Sequence, residues 1–128
     1  RGLGDVYKRQ DRGLLDSTIV HWGGEMGRLP VIQFRKGLGA RANIGRDHNT
    51  YGFSMWVAGG GFRSGHVHGA TDEFSHHAVE GIVNHYDWLA TVLHQFGLDH
   101  RELKFRVGPR DLRLVENENA RVVEGLLA

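Results

Sequence analysis

The chain has 128 residues, enough for one domain or part of one. With 40% hydrophobic and 24% charged residues, its composition is that of a globular protein and not of a disordered one. The net charge of +1, from 16 basic and 15 acidic residues, argues against a nucleic-acid binder held by bulk charge. No apolar run is long enough to span a bilayer, and the absence of cysteine excludes a disulfide framework, thiolate chemistry and a cysteine zinc site. Gly (19) is at about twice its average usage of roughly 7%. Nine His add to the picture of polar groups carried on loops by a scaffold.

Residues 1–10, RGLGDVYKRQ, show neither a helical nor a strand period and no apolar stretch of the signal-peptide type. They are expected to be a non-native or disordered tail, with the fold confined to 11–128. From Leu14 to Trp22, β-branched and aromatic residues in a short run predict a strand buried on both faces, ended by Gly23-Gly24. His21 inside it is expected to be a satisfied core histidine. Glu25 follows the strand end, where open α/β sheets place ligands. Residues 27–50 read as a long irregular loop, of a length that is usually functional. It carries Arg28, Arg41 and Arg46 and ends in Gly45-Arg46-Asp47-His48-Asn49.

A second strand is predicted over Tyr51–Ala58, ended by Gly59-Gly60-Gly61, which lacks the following Lys-Ser or Lys-Thr of a phosphate loop and reads as a strand-ending turn. The next piece holds His66-x-His68, Asp72-Glu73 and His76-His77. Asn84–Gly97 predicts a helix with an apolar stripe of Leu89, Val92, Leu93 and Phe96, Asn84 as N-cap with Asp87 in a capping-box variant, and Gly97 at the C′ position. His85 and His94 flank it and are expected to be structural or exposed. A third strand is predicted near 103–107. A closing helix is predicted from Ala120, burying Val122, Val123, Leu126 and Leu127. These elements make an α/β chain with few strands, whose sheet is incomplete without neighbours.

Three constellations can carry chemistry. Glu25 with Asp47 and His48 offers oxygen and nitrogen donors suited to a divalent metal. The alternative is local: Glu25 capping or pairing with Arg28, and Asp47 closing a turn. The pair His66-x-His68, with Asp72-Glu73 and His76-His77 nearby, offers a second histidine-rich metal site, with His66, His68, Asp72 and His76 as its donors, against which stands ordinary solvation of loop histidines. Arg28 and Arg46 suit bidentate binding of sulfate, phosphate or carboxylate, or a solvated basic loop. No Gly-x-Ser-x-Gly elbow is present, and Ser17, Ser54, Ser64 and Ser75 have no activating context.

Leu15-Asp16-Ser17-Thr18-Ile19-Val20-x-Trp22-Gly23-Gly24-Glu25-Met26-Gly27-Arg28 resembles a strand and loop of an uncharacterised sulfatase-like family, the domain of unknown function fifteen-oh-one. Gly45–Asn49, Tyr51-Gly52-Phe53, Met55-Trp56, Ala58–Gly61, Gly69–Phe74 and the stretches from Asp87 to His100 and Gly108 to Leu114 extend the resemblance over 11–128. It implies the C-terminal part of an alkaline-phosphatase-like α/β/α sandwich with a metal site at the strand ends. It also implies a hydrolase of sulfate or phosphate esters. Glu25 then sits where an Asp-His ligand pair is common, with Met26 in place of the His, and His48 where a later ligand His is found. The nucleophile and first metal carboxylates would lie upstream. The resemblance therefore implies a fragment that is not catalytic alone, needs the missing upstream part of its domain, and comes from an exported protein. A non-catalytic exported binding or assembly protein on the same fold is the alternative, favoured by Met26.

Overall fold

The computed structural model describes residues 3–32 and 45–128. They form a mixed α/β arrangement of two α-helices and small two-stranded sheets. The chain divides into two compact units. One comprises Arg1–Val20, Ala58–His66 and Val83–Ala128; the other comprises His21–Val57 and Val67–Ile82.

In the first unit, helix α1 (Gly4–Asp11) occupies the segment expected to lack regular structure. Its end explains why it forms. Gly13, at φ 64°, lets the Leu14 amide donate to the Arg9 carbonyl (2.8 Å) and its own amide donate to Gln10 (3.0 Å), a Schellman closure. None of its residues is buried. Helix α2 (His85–Gln95) is the element the sequence predicts best. The Asn84 side chain accepts from the amides of Tyr86 and Asp87, both at 2.9 Å. Gly97 closes the other end with φ 74°, and Leu98 donates to the Leu93 carbonyl.

The predicted stripe coincides only in part with the buried face of α2: Leu93 is in the core and Val92 is half-buried, but the stripe's two ends are not. Phe96 is 66% exposed and Leu89 is also exposed, whereas Asp87, Ala90, Thr91 and Leu93 are buried. Apolar periodicity misses this face because two of its residues are polar and are satisfied by distant backbone. Asp87 does not complete a capping box; its carboxylate accepts from the Arg121 amide at 3.0 Å. The Thr91 hydroxyl donates to the Asp87 carbonyl (2.7 Å) and accepts from the Val123 amide (2.9 Å). Ala90 and Leu93 pack with Val115 and Ala120 as the core, against which Tyr86 and Leu103 rest. His100, not His21, is the buried histidine, its Nε2 donating to the Ala120 carbonyl at 3.1 Å.

The closing helix is reduced to a 3₁₀ turn, Glu124–Leu126. The chain end is held by strand-like bonds instead. Phe62 bridges Leu127, Arg63 donates to Leu126, and Ala128 donates to Gly61. All three of Gly59, Gly60 and Gly61 have positive φ, and a Cβ on Gly59 would collide with the carbonyls of Leu15 and Thr18. The Gly60 amide is taken by the Leu15 carbonyl, so this triplet is a packed turn. The third predicted strand is one arm of a hairpin in this unit. There β7 (Lys104–Val107) pairs antiparallel with β8 (Arg110–Arg113) across Gly108-Pro109. Gly108, at φ 60°, supplies the first position of a II′ loop.

In the second unit the predicted long strands are short. β1 (Val20–Trp22) pairs with β4 (Trp56–Ala58), and the unit boundary falls within both. β1 is not buried on both faces: Trp22 is 62% exposed, and among the described residues no third strand flanks the pair. His21 is exposed too, with its Nε2 3.4 Å from the Met55 sulfur. The long loop is pinned at its two ends, where β2 (Gly27–Arg28) pairs antiparallel with β3 (His48–Asn49). A last hairpin joins β5 (Ala70–Thr71) to β6 (Ala78–Glu80), with a register irregularity at Ala70/Thr71.

Candidate functional site

The β2–β3 ladder brings together Arg28, Arg46, Asp47 and His48 of the residues singled out in the sequence. Arg28 stands opposite His48, and Gly27 opposite Asn49. The Leu29 amide continues the ladder to the Asp47 carbonyl at 2.8 Å, and an Arg28 guanidinium nitrogen donates to the Arg46 carbonyl at 2.9 Å. Asp47 makes the local bond foreseen as the alternative, accepting from the His48 amide at 3.2 Å. Arg28, Arg46, Asp47 and His48 are all exposed. Glu25 is exposed in the bend ahead of β2, and it does not gather with Asp47 and His48 into a three-donor group. Arg41, the third arginine of the loop, lies outside the described residues.

Asn49, at the end of the Gly45–Asn49 motif, fixes this ladder to the histidine-bearing hairpin. It is fully buried. Its amide nitrogen donates to the carbonyls of Gly52 (3.2 Å) and His76 (2.9 Å), while its oxygen accepts from the Tyr51 amide (3.0 Å). The Ala78 amide adds a bond to the Tyr51 carbonyl at 2.9 Å. Gly52 is required there, because a Cβ would stand 2.7 Å from the Ala78 nitrogen. An open groove in this unit is lined by Trp22, Met26, Arg28, Ser54, Thr71 and Ser75, among others. Its one formal charge among these six is the Arg28 cation, which suits an anionic oxygen.

Among the described residues, the three donors that do gather are Asp72, His76 and His77, whose ligand atoms lie within 4.8 Å of one another. Asp72 organises the loop that carries them. Its Oδ1 accepts from the amides of His76 (2.8 Å) and Phe74 (3.2 Å), and its Oδ2 from the amide of His77 (3.0 Å). The His76 amide bond is the strongest influence holding the Asp72 carboxyl below its ordinary range. Desolvation opposes it, and the His77 amide and ring and the Phe74 amide reinforce it. The Asp72 amide in turn donates to the His77 carbonyl, closing the loop. His66 and His68, the other half of the histidine-rich set, are not part of this group. His68 instead lies beside Gly81.

The sequence places His76-His77 and Asp72 in one histidine-rich stretch with His66-x-His68, and the group that gathers is Asp72, His76 and His77. The two histidines lie ahead of β6, just after Ser75, the non-glycine residue with positive φ (56°) among the described residues.

A family model described as a protein of unknown function (DUF1501) matches residues 9–127. The chain belongs to this family. No curated protein and no solved structure matches it. Within this DUF1501 chain, the matched span takes in both the β2–β3 ladder and the Asp72–His77 hairpin. No helix among the described residues is long and apolar enough to cross a membrane.

Proposed function

We propose that this DUF1501 chain is the C-terminal portion of a sulfatase-like, metal-dependent hydrolase homologue, built on an alkaline-phosphatase-like α/β/α sandwich and acting on sulfate or phosphate esters. The observation that carries the reading is the pairing of Arg28 with His48 on a ladder beside an open groove that Arg28 lines. A cation there can bind the non-bridging oxygens of an anionic ester through paired N–H donors. In the intact protein Glu25 and His48 serve as metal ligands, and Asp47 serves as ligand or orients His48. Arg28 or Arg46 holds the ester. A divalent metal held by these residues would supply Lewis-acid polarisation of the ester oxygen and activation of a nucleophile contributed by the remainder of the domain. An open catalytic site needs about three well-placed protein ligands. With Glu25 apart from Asp47 and His48 here, the isolated chain does not turn over substrate.

The test compares the 128-residue chain with the full-length protein on aryl sulfate and aryl phosphate esters, with metal content measured on both. Turnover by the full-length protein alone, reduced together with metal content in Glu25→Gln and His48→Ala, supports the reading. Unchanged metal content in those variants refutes the ligand assignment. A second reading, a non-catalytic binding protein on the same scaffold, is favoured by Met26, which follows Glu25 where a ligand pair would have His and which lines the groove. Full-length protein without esterase activity would select it.

A further inference from the structure

We propose that Asp72, His76 and His77 form a binding site for a borderline divalent cation of the zinc class, independent of the ester-hydrolase reading. Two imidazoles and one carboxylate are the donor set that zinc, cobalt and nickel accept, whereas magnesium and calcium favour all-oxygen shells. With bonds of about 2.0–2.2 Å, tetrahedral donors stand roughly 3.4 Å apart. Nδ1 of His77 already stands 3.4 Å from Oδ2 of Asp72. All three donors lie within 4.8 Å of one another.

The backbone is shaped for this convergence. His76 and His77 lie ahead of β6, after the positive φ of Ser75, so the alternation that separates neighbours within a strand does not apply to them. Their ring centroids come to 4.3 Å, at an interplanar angle of 81°. Tyr51 packs against both rings, at 5.5 Å from His76 and 4.8 Å from His77, which limits the orientations they sample. A non-glycine residue held at positive φ persists where its surroundings require it. The Asp72 carboxylate accepts three backbone amides and retains capacity on Oδ2, since an ionised carboxylate has about four lone-pair sites. That same set of bonds fixes the carboxylate's orientation, as the outer partners of metal ligands commonly do. Three protein donors leave a fourth position for water or an anionic oxygen.

Cobalt(II) is the probe, because tetrahedral cobalt absorbs in the visible and reports donor number directly. The full 128-residue chain is titrated with cobalt and then with zinc as competitor. The expected result is one equivalent bound with a tetrahedral spectrum, displaced by zinc. His76→Phe keeps an aromatic ring against Tyr51 and removes the donor nitrogen. His77→Ala keeps the amide that Asp72 accepts. Each is expected to weaken binding at least ~10- to 100-fold, while His94→Ala on α2 leaves it unchanged. Far-UV circular dichroism confirms that the variants fold as the parent does. Absence of the visible band at several equivalents of cobalt overturns the proposal. So does equal affinity in His76→Phe and His77→Ala to that of the parent. Loss of binding in His48→Ala with His76→Phe unaffected also overturns it, and leaves the ester-hydrolase ligand set standing.

Discussion

The side-chain amide of Asn49 donates to the main-chain carbonyl of His76 at 2.9 Å, joining the Arg46-Asp47-His48 segment to the histidine hairpin through a fully buried group. Because Asn49 also bonds Gly52 and Tyr51, one side chain sets the relative position of two candidate sites. Asn49→Ala leaves the His76 carbonyl and the Tyr51 amide without these partners, at a cost on the order of 1–3 kcal/mol for each group that stays buried and unpaired. Hydrogen exchange should show lost protection at the Tyr51 and Ala78 amides. Protection along α2 should persist. Unchanged exchange at Tyr51 would remove Asn49 from this role.

The Asp72 hairpin should open in acid. The amides of His76, His77 and Phe74 hold the carboxylate in its charged form, so its folded pKa lies below the unfolded one. Its contribution is fully present above the ordinary carboxylate value of about 3.9 and is lost as pH falls through the lower folded value. The chemical shifts of the Asp72 carboxyl carbon and the Phe74 amide are therefore expected to hold steady on acidification to about pH 4 and to move together below it. A common transition well above that value contradicts the assignment. Asp72→Asn should abolish the transition.

Much of this was legible in the sequence where the determinants are local. Asn84 and Gly97 mark the two ends of α2 because a cap side chain and a positive-φ glycine act within one turn. Lys104–Val107 was legible as a strand for the same reason. The buried face of α2 was not, because Asp87 and Thr91 are satisfied by the amides of Arg121 and Val123, more than thirty residues away. Apolar periodicity cannot register such partners. For the candidate site, the motif Gly45–Asn49 was legible as a segment, and the register sets Arg28 opposite His48 in it. The histidine-rich stretch was legible too, but not that Asp72, rather than His66 or His68, would gather with His76 and His77, because that depends on the loop the Asp72 carboxylate closes.

Gly59→Ala should destabilise the chain by more than about 1 kcal/mol. Its φ of 75° is strained for any residue with a Cβ, at a typical cost of about 1–3 kcal/mol. The added carbon would also meet the carbonyls of Leu15 and Thr18, which are backbone and cannot swing aside. Gly45→Ala is the comparison, since a Cβ there meets nothing within 4 Å. Urea midpoints of the two variants should separate clearly, with Gly45→Ala close to the parent. Equal midpoints would mean that the Gly59 turn is looser than its geometry indicates.

Thr91→Val tests whether α2 holds the C-terminal segment by polar or by apolar contact. Valine has nearly the shape of threonine, so contacts beside Ala90 and Leu93 are kept, but the exchange is not neutral because a hydroxyl is lost. That hydroxyl accepts from the Val123 amide at 2.9 Å and donates to the Asp87 carbonyl at 2.7 Å. The Val123 amide then has no side-chain acceptor, at a cost of about 1–3 kcal/mol if it stays buried. Thr91→Ser keeps the hydroxyl and removes only a methyl group. If the polar bond carries the attachment, Val lowers the urea midpoint and speeds exchange at Val123, whereas Ser leaves exchange at Val123 near the parent. If Ser proves as damaging as Val, the methyl group's packing against the buried face holds the segment. The hydroxyl would then be a satisfied bystander.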